Sequence, residues 1–132
     1  MISWKIRNWF DDYLRPCAII DGISNLIKWF PLIWKDRDFD HGYLYDILYF
    51  KLGEMQKFFE SDNTWSANAN EYAKQIKGCK ELLYRIMNES IQDENWDGDN
   101  FTRSLNEIAE LEKEEKKLFW NMICDNIDSW WD

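Results

Sequence analysis

The sequence predicts an all-α fold: a small helical bundle built on a long antiparallel helical hairpin, with a long C-terminal helix beside it. Three observations carry this. Apolar residues recur at three- and four-residue steps over most of the 132 residues. Only two prolines and five glycines punctuate them, too few for the regular turns of an all-β chain. The links between the periodic stretches are short, as they are between antiparallel neighbours in a bundle. The length suits one domain, residues 1–132, of a size that buries roughly two-thirds of the surface its unfolded chain exposes.

Residues 1–35 read as aromatic N-terminal helices. In MISWKIRNWFDDYLR, Ile2, Ile6, Trp9, Phe10 and Tyr13 share a helical face, and Pro16 marks its end because the residue before a proline is pushed out of the α region. Trp4, Lys5, Arg7 and Trp9 are also the residue types of a membrane-surface anchor, although packing on its own domain is the commoner fate of such a stripe. A second helix over 19–30 takes Asp21 as its N-cap, presents Ile23, Leu26, Ile27 and Phe30, and stops at Pro31. The PLIW that follows, three of its four residues large and apolar, reads as a buried connector.

The central hairpin occupies residues 43–90. From Tyr43 to Glu60 a stripe of Leu44, Ile47, Leu48, Leu52, Met55, Phe58 and Phe59 predicts a helix about 27 Å long. SDNT supplies turn and cap residues, and a second helix from about Trp65 to Ser90 carries Tyr72, Ile76, Cys79, Leu83 and Ile86. Asn68 followed by Glu71 has capping-box spacing, which moves that start a few residues later. QDENWDGDN, residues 92–100, is a polar loop. The acidic C-terminal helix, 101–131, takes Asp99 or Asn100 as cap and lines up Leu105, Ile108, Leu111, Leu118, Met122, Ile123 and Ile127. Its EKEEKK middle has little to bury and reads as a solvated stretch with pairs such as Glu112 and Lys116.

Composition narrows the function. Nine tryptophans and 17% aromatic residues exceed what a minimal core requires, which leaves rings for an interface. Cys17, Cys79 and Cys124 are odd in number and lack CxxC or Cys/His spacing, so neither a disulfide framework nor a zinc site is predicted. Asp11 and Asp12 break the early apolar run before it resembles a signal peptide, and no stretch approaches the roughly 20 apolar residues of a membrane span. A soluble protein in a reducing, cytoplasmic setting is the expectation. Residues 88–132 hold 13 acidic and 4 basic side chains and so carry the whole formal charge of −9, while residues 1–87 balance at 12 against 12. Such a segment repels phosphate backbones and favours basic partners, which argues against direct nucleic-acid binding.

Four clusters are candidates for chemistry. Asp36, Asp38, Asp40 and the only histidine, His41, form a D-x-D-x-D element that a calcium loop also uses, but His41 stands where that loop needs Gly and Ile47 where it needs Glu. The bland reading is that Asp38 or Asp40 caps the helix that follows; the sharper one is an acid/base or metal cluster. Asp93, Asn95, Asp97 and Gly98 match the calcium-loop spacing better, with Asp99 adjacent, yet Ser104 occupies the position of the strongest ligand. An ordinary Asx-rich loop is the alternative. Lys74, Lys77, Lys80 and Arg85 make a basic patch that could hold an anionic ligand if aromatic side chains stand beside it. Finally, Glu107, Glu110, Glu114, Asp125, Asp128 and Asp132 follow one stripe of the last helix, interrupted by Lys117 and Asn121. This is either a solvated face or a surface that docks a basic protein.

The segment WFPLIWKDRDFDHGYLYDILYFKLGEMQKFF, residues 29–59, resembles a pattern of small acidic bacteriophage-encoded helical proteins of unassigned function. In that pattern an aspartate-rich element, here Asp36, Asp38, Phe39 and Asp40, precedes a helix with Leu, Lys and Met at set spacings, here Leu44, Leu48, Lys51, Leu52 and Met55. The resemblance covers 31 of 132 residues and implies no catalytic residue. It implies a phage accessory protein acting in the cytoplasm of its bacterial host. The expected function is non-enzymatic binding of a host protein, as in countering host defence, with no cofactor. A small-ligand binder sequestering a nucleotide signal is the alternative, and a metal-dependent enzyme using the Asp36–His41 cluster the third. Surplus tryptophans and a long charged helix are compatible with a homodimer.

Overall fold

The structure, a computed structural model, describes residues 16–130. The chain is all-α, and it divides into two compact units, Met1–Asp40 and His41–Asp132. The predicted first helix and Asp132 lie outside the described residues.

In the first unit, α1 spans Pro16–Ile33. Pro16 stands at its first position, where the missing N–H has no partner to lose and the fixed φ suits a helix. Asp21, read as a cap, is therefore inside the helix. Pro31 does not stop it either: the ring sits in the last turn, and the Trp34 N–H still reaches the Phe30 carbonyl at 2.9 Å. A proline forbids only its own N–H bond and crowds one carbonyl a turn earlier, so a helix that is ending anyway tolerates it. No residue of α1 is buried, and PLIW is not a buried connector, because Ile33 and Trp34 are 57% and 73% exposed.

The second unit holds α2 (Gly42–Phe59), α3 (Ala69–Met87), the single turn α4 (Ser90–Glu94), α5 (Leu105–Asn126) and a 3-10 turn, Ile127–Ser129. The residue that caps α2 is His41, in helical conformation and without a side-chain cap bond, so neither Asp38 nor Asp40 is the N-cap. Asn68 caps α3, also without the side-chain bond of a capping box. The Phe59 ring meets Tyr72, a Cβ on Gly53 would stand 3.6 Å from Lys80 Nζ, and Tyr49 meets Tyr84, so α2 and α3 run antiparallel. On the other flank of α3, α5 packs with the same sense: Gln75 meets Trp130, Gly78 meets Met122 and Arg85 meets Glu115.

The core follows from this central position of α3. Ile76, Cys79 and Leu83 are fully buried, with Ala69 and Ala73 on the same helix, Leu52 and Phe59 from α2, and Phe119 and Ile123 from α5. Burial raises the Cys79 thiol above its ordinary range, so it is a core residue with little thiolate character. Phe119, absent from the expected stripe, replaces Leu118, which faces solvent at 53% exposure. Trp130 closes the end of the core and donates from Nε1 to Gln75 Oε1 at 2.9 Å, which satisfies its one polar group.

The α3–α5 connection differs from expectation in three ways. First, α3 ends at Met87, where Asn88 Nδ2 donates to the Tyr84 carbonyl and Glu89 adopts a left-handed φ of 51° that turns the chain into α4. Second, Trp96 and Phe101 pair across a backbone bridge with ring centroids 5.0 Å apart, and Thr102 N–H donates to the Asn95 carbonyl, so residue 101 belongs to the loop. Third, α5 is capped by Ser104 rather than Asp99 or Asn100. The Glu107 N–H donates to Ser104 Oγ while the Ser104 N–H donates to Glu107 Oε2, a reciprocal box that outcompetes a lone Asx cap.

Candidate functional site

The acidic side chains of α5 separate into two sets. Glu112 and Glu115 face inward: Gln92 Nε2 donates to Glu112 Oε1 at 2.7 Å, and Arg85 Nε donates to Glu115 Oε1 at 2.6 Å. The EKEEKK stretch is therefore not wholly solvated. Residues three apart on a helix share a face, and these two find partners on α3 and α4. Glu115 is only 12% exposed at its side chain.

The second set faces outward. Glu107, Glu110, Glu114 and Asp125 lie along one side of α5 over about 27 Å, with Asp128 in the 3-10 turn, and all five are exposed. Glu107 is held below the ordinary carboxylate range by the hydrogen bonds from the Ser104 hydroxyl and backbone. Lys113 Nζ comes within 3.7 Å of Glu110, an exposed pair that water and salt weaken. Between Arg103 and Glu114 the surface dips into a shallow depression of about 340 Å³, with half-buried Leu111 in its lining and Asn106, Glu107 and Glu110 beside it. Carboxylates around an apolar patch suit a Lys or Arg side chain, whose stem packs on hydrocarbon while its head meets charge.

Three members of the basic patch come together and one does not. Lys77, Lys80 and Arg85 line a groove of about 460 Å³ between α2 and α3, together with Tyr49, Gln56, Glu81 and Tyr84. Lys74 is not among the lining residues. Lys80 Nζ lies 5.3 Å from the Tyr49 ring centroid, and Lys77 Nζ is 3.9 Å from Glu81. Arg85 is committed elsewhere: besides Glu115, its two terminal nitrogens donate to the two oxygens of Glu94 at 2.6 and 3.1 Å. The Glu94 and Glu115 bonds raise the guanidinium above its already high range, and the same contact lowers Glu94. Arg85 is thus a clamp across α3, α4 and α5. Sequence reading missed Tyr49, Gln56, Glu81 and Tyr84, because only the register of α2 on α3 brings them to the lysines.

In the 93–99 loop, Asp97 Oδ1 accepts the N–H groups of Asp99 and Asn100, and those two bonds hold its carboxyl below the ordinary range. Asn95 Nδ2 donates to the Ile91 carbonyl. Gly98 has a φ of 102°, as this Asx turn requires. The Asp36–His41 cluster straddles the boundary of the two units, with His41 exposed at the start of the second. Among the described residues no three His, Cys, Asp or Glu side chains stand together as a metal site requires. Nor is any helix among them long and apolar enough to cross a membrane. Comparison with protein-family models, with curated proteins and with solved structures finds no match to this chain.

Proposed function

We propose that this chain is a non-enzymatic binding protein, a phage accessory factor whose outer α5 face docks a basic surface of a host protein and thereby counters host defence. One observation carries the reading: the depression in which Glu110 and Glu114 flank Leu111, on the exposed acidic line of α5. A merely solvated face needs no apolar floor between its carboxylates. Exposed Leu118 extends the same mixture further along the helix. The uneven charge supports it as well, since residues 88–132 carry the full −9 and steer basic surfaces toward this end of the sequence.

The test is a capture experiment from bacterial lysate with wild type and with the double variant Glu110→Lys, Glu114→Lys, both checked for helical content by circular dichroism. A basic protein retained stoichiometrically by wild type at low salt, and released by the reversal or by about 0.5 M salt, is the expected result. Equal retention by the two proteins contradicts the proposal.

A further inference from the structure

We propose that the groove between α2 and α3 is a second, independent binding site, and that its ligand is a planar aromatic phosphate of the nucleoside monophosphate class. Its volume of about 460 Å³ falls in the range of small-molecule sites, about 300–1,000 Å³. All lining residues belong to the second unit, on helices whose contacts fix their register.

Lys80 supplies the anion site. The residue is half-buried, and its ammonium lies over Tyr49 and ion-pairs with no carboxylate among the described residues. Lys77 adds a second cation whose one ion pair among the described residues, with Glu81, is long and exposed at both ends, so a phosphate oxygen replaces that partner at little cost. Tyr84 supplies the flat surface: the residue is 54% exposed and lines the groove, and its ring is tilted 41° to that of Tyr49 at a centroid distance of 6.1 Å. The two tyrosines do not stack face to face with each other, which leaves the Tyr84 face for a base.

Charge sets the size of the anion. Arg85 lines the groove, but its charge is already met by two carboxylates, Glu94 and Glu115, which take three of its five N–H groups, so it shapes a wall rather than supplying the anion site. Lys77 and Lys80 are the two lining cations outside the Arg85 clamp, a match for the roughly two negative charges of one phosphate monoester, and a polyphosphate chain would meet no further cation in the groove.

Calorimetric titration of the full chain with adenosine and guanosine monophosphate tests this, with the nucleosides and inorganic phosphate as separate arms. Saturable binding of a monophosphate is expected, with nucleoside alone and phosphate alone each weaker by about tenfold or more. Lys80→Met and Tyr84→Ala should each weaken it by about tenfold, whereas Lys74→Met, outside the groove, should not. Circular dichroism guards against unfolding of either groove variant. Glu110→Lys with Glu114→Lys should leave this affinity intact, which separates failure here from failure of the α5 docking surface. Absence of monophosphate binding, binding unchanged in Lys80→Met and Tyr84→Ala, or equal weakening by Lys74→Met overturns the proposal.

Discussion

Arg85 joins three segments through one side chain. Its planar fork meets Glu94 with two nitrogens and Glu115 with a third, a geometry that the point charge of a lysine does not reproduce. Replacement by Met keeps the aliphatic packing but leaves Glu115, 12% exposed, without its cation. Allowing for the partial exposure of Arg85 itself, Arg85→Met should lower stability by about 1 kcal/mol, seen as a lower urea midpoint with an unchanged slope. A midpoint equal to wild type would show that the clamp is ornamental. This residue also shows where sequence reading stops. Arg85 has the chemistry of an anion receptor, and nothing local distinguishes that role from a clamp. Its partners lie 9 and 30 residues away, so only the packed chain reveals that they neutralise it.

In α5, too, packing decides what local pattern leaves open. Helical periodicity located the element and its apolar content, but the run Leu118, Phe119, Trp120 leaves the phase open. A one-residue shift turns the face by about 100°, and burial chose Phe119, leaving Leu118 outside. The N-terminus was missed for a related reason. Asp99 and Asn100 are good caps in isolation, yet the reciprocal Ser104–Glu107 box satisfies two groups at once. Pro31 misled in α1, because its penalty is small within a final turn.

The α4–α5 connection carries a pH dependence whose sign is fixed by its carboxylates. Glu94, Asp97 and Glu107 are all held below their ordinary values of 4.5, 3.8 and 4.5, so the unfolded chain binds more protons than the folded one as the medium acidifies. Their stabilisation is complete above those ordinary values and is lost as pH falls through the depressed ones. The urea midpoint should therefore drop as pH falls from about 5 to below the ordinary values of 4.5 and 3.8, and Ser104→Ala should flatten the part that Glu107 contributes. Constant or rising stability over that interval would contradict the assignment.

At the scale of the molecule, the all-α class and the buried trio Ile76, Cys79 and Leu83 were legible from spacing alone, because an apolar stripe on a long helix has only one way to escape water. The division at Asp40 was not, since no Pro- or Gly-rich linker announces it. Nor was the groove: the lysines of α3 are visible as a patch, but Tyr49 and Tyr84 are 35 positions apart and meet only through helix register. The acidic line was legible as a pattern, and what the structure adds is the split between two inner glutamates that hold the fold and five outer acids that face solvent.

That split makes docking of a basic protein on the outer face of α5 directly measurable. Zero-length carbodiimide coupling of the purified complex joins a carboxylate only to an amine it touches, and peptide mass spectrometry then locates each junction. Cross-links from lysines of the captured partner should concentrate at Glu110, Glu114, Asp125 and Asp128 and spare Glu112 and Glu115. Cross-links confined to Asp36, Asp38 and Asp40, or absent from α5 altogether, would contradict it.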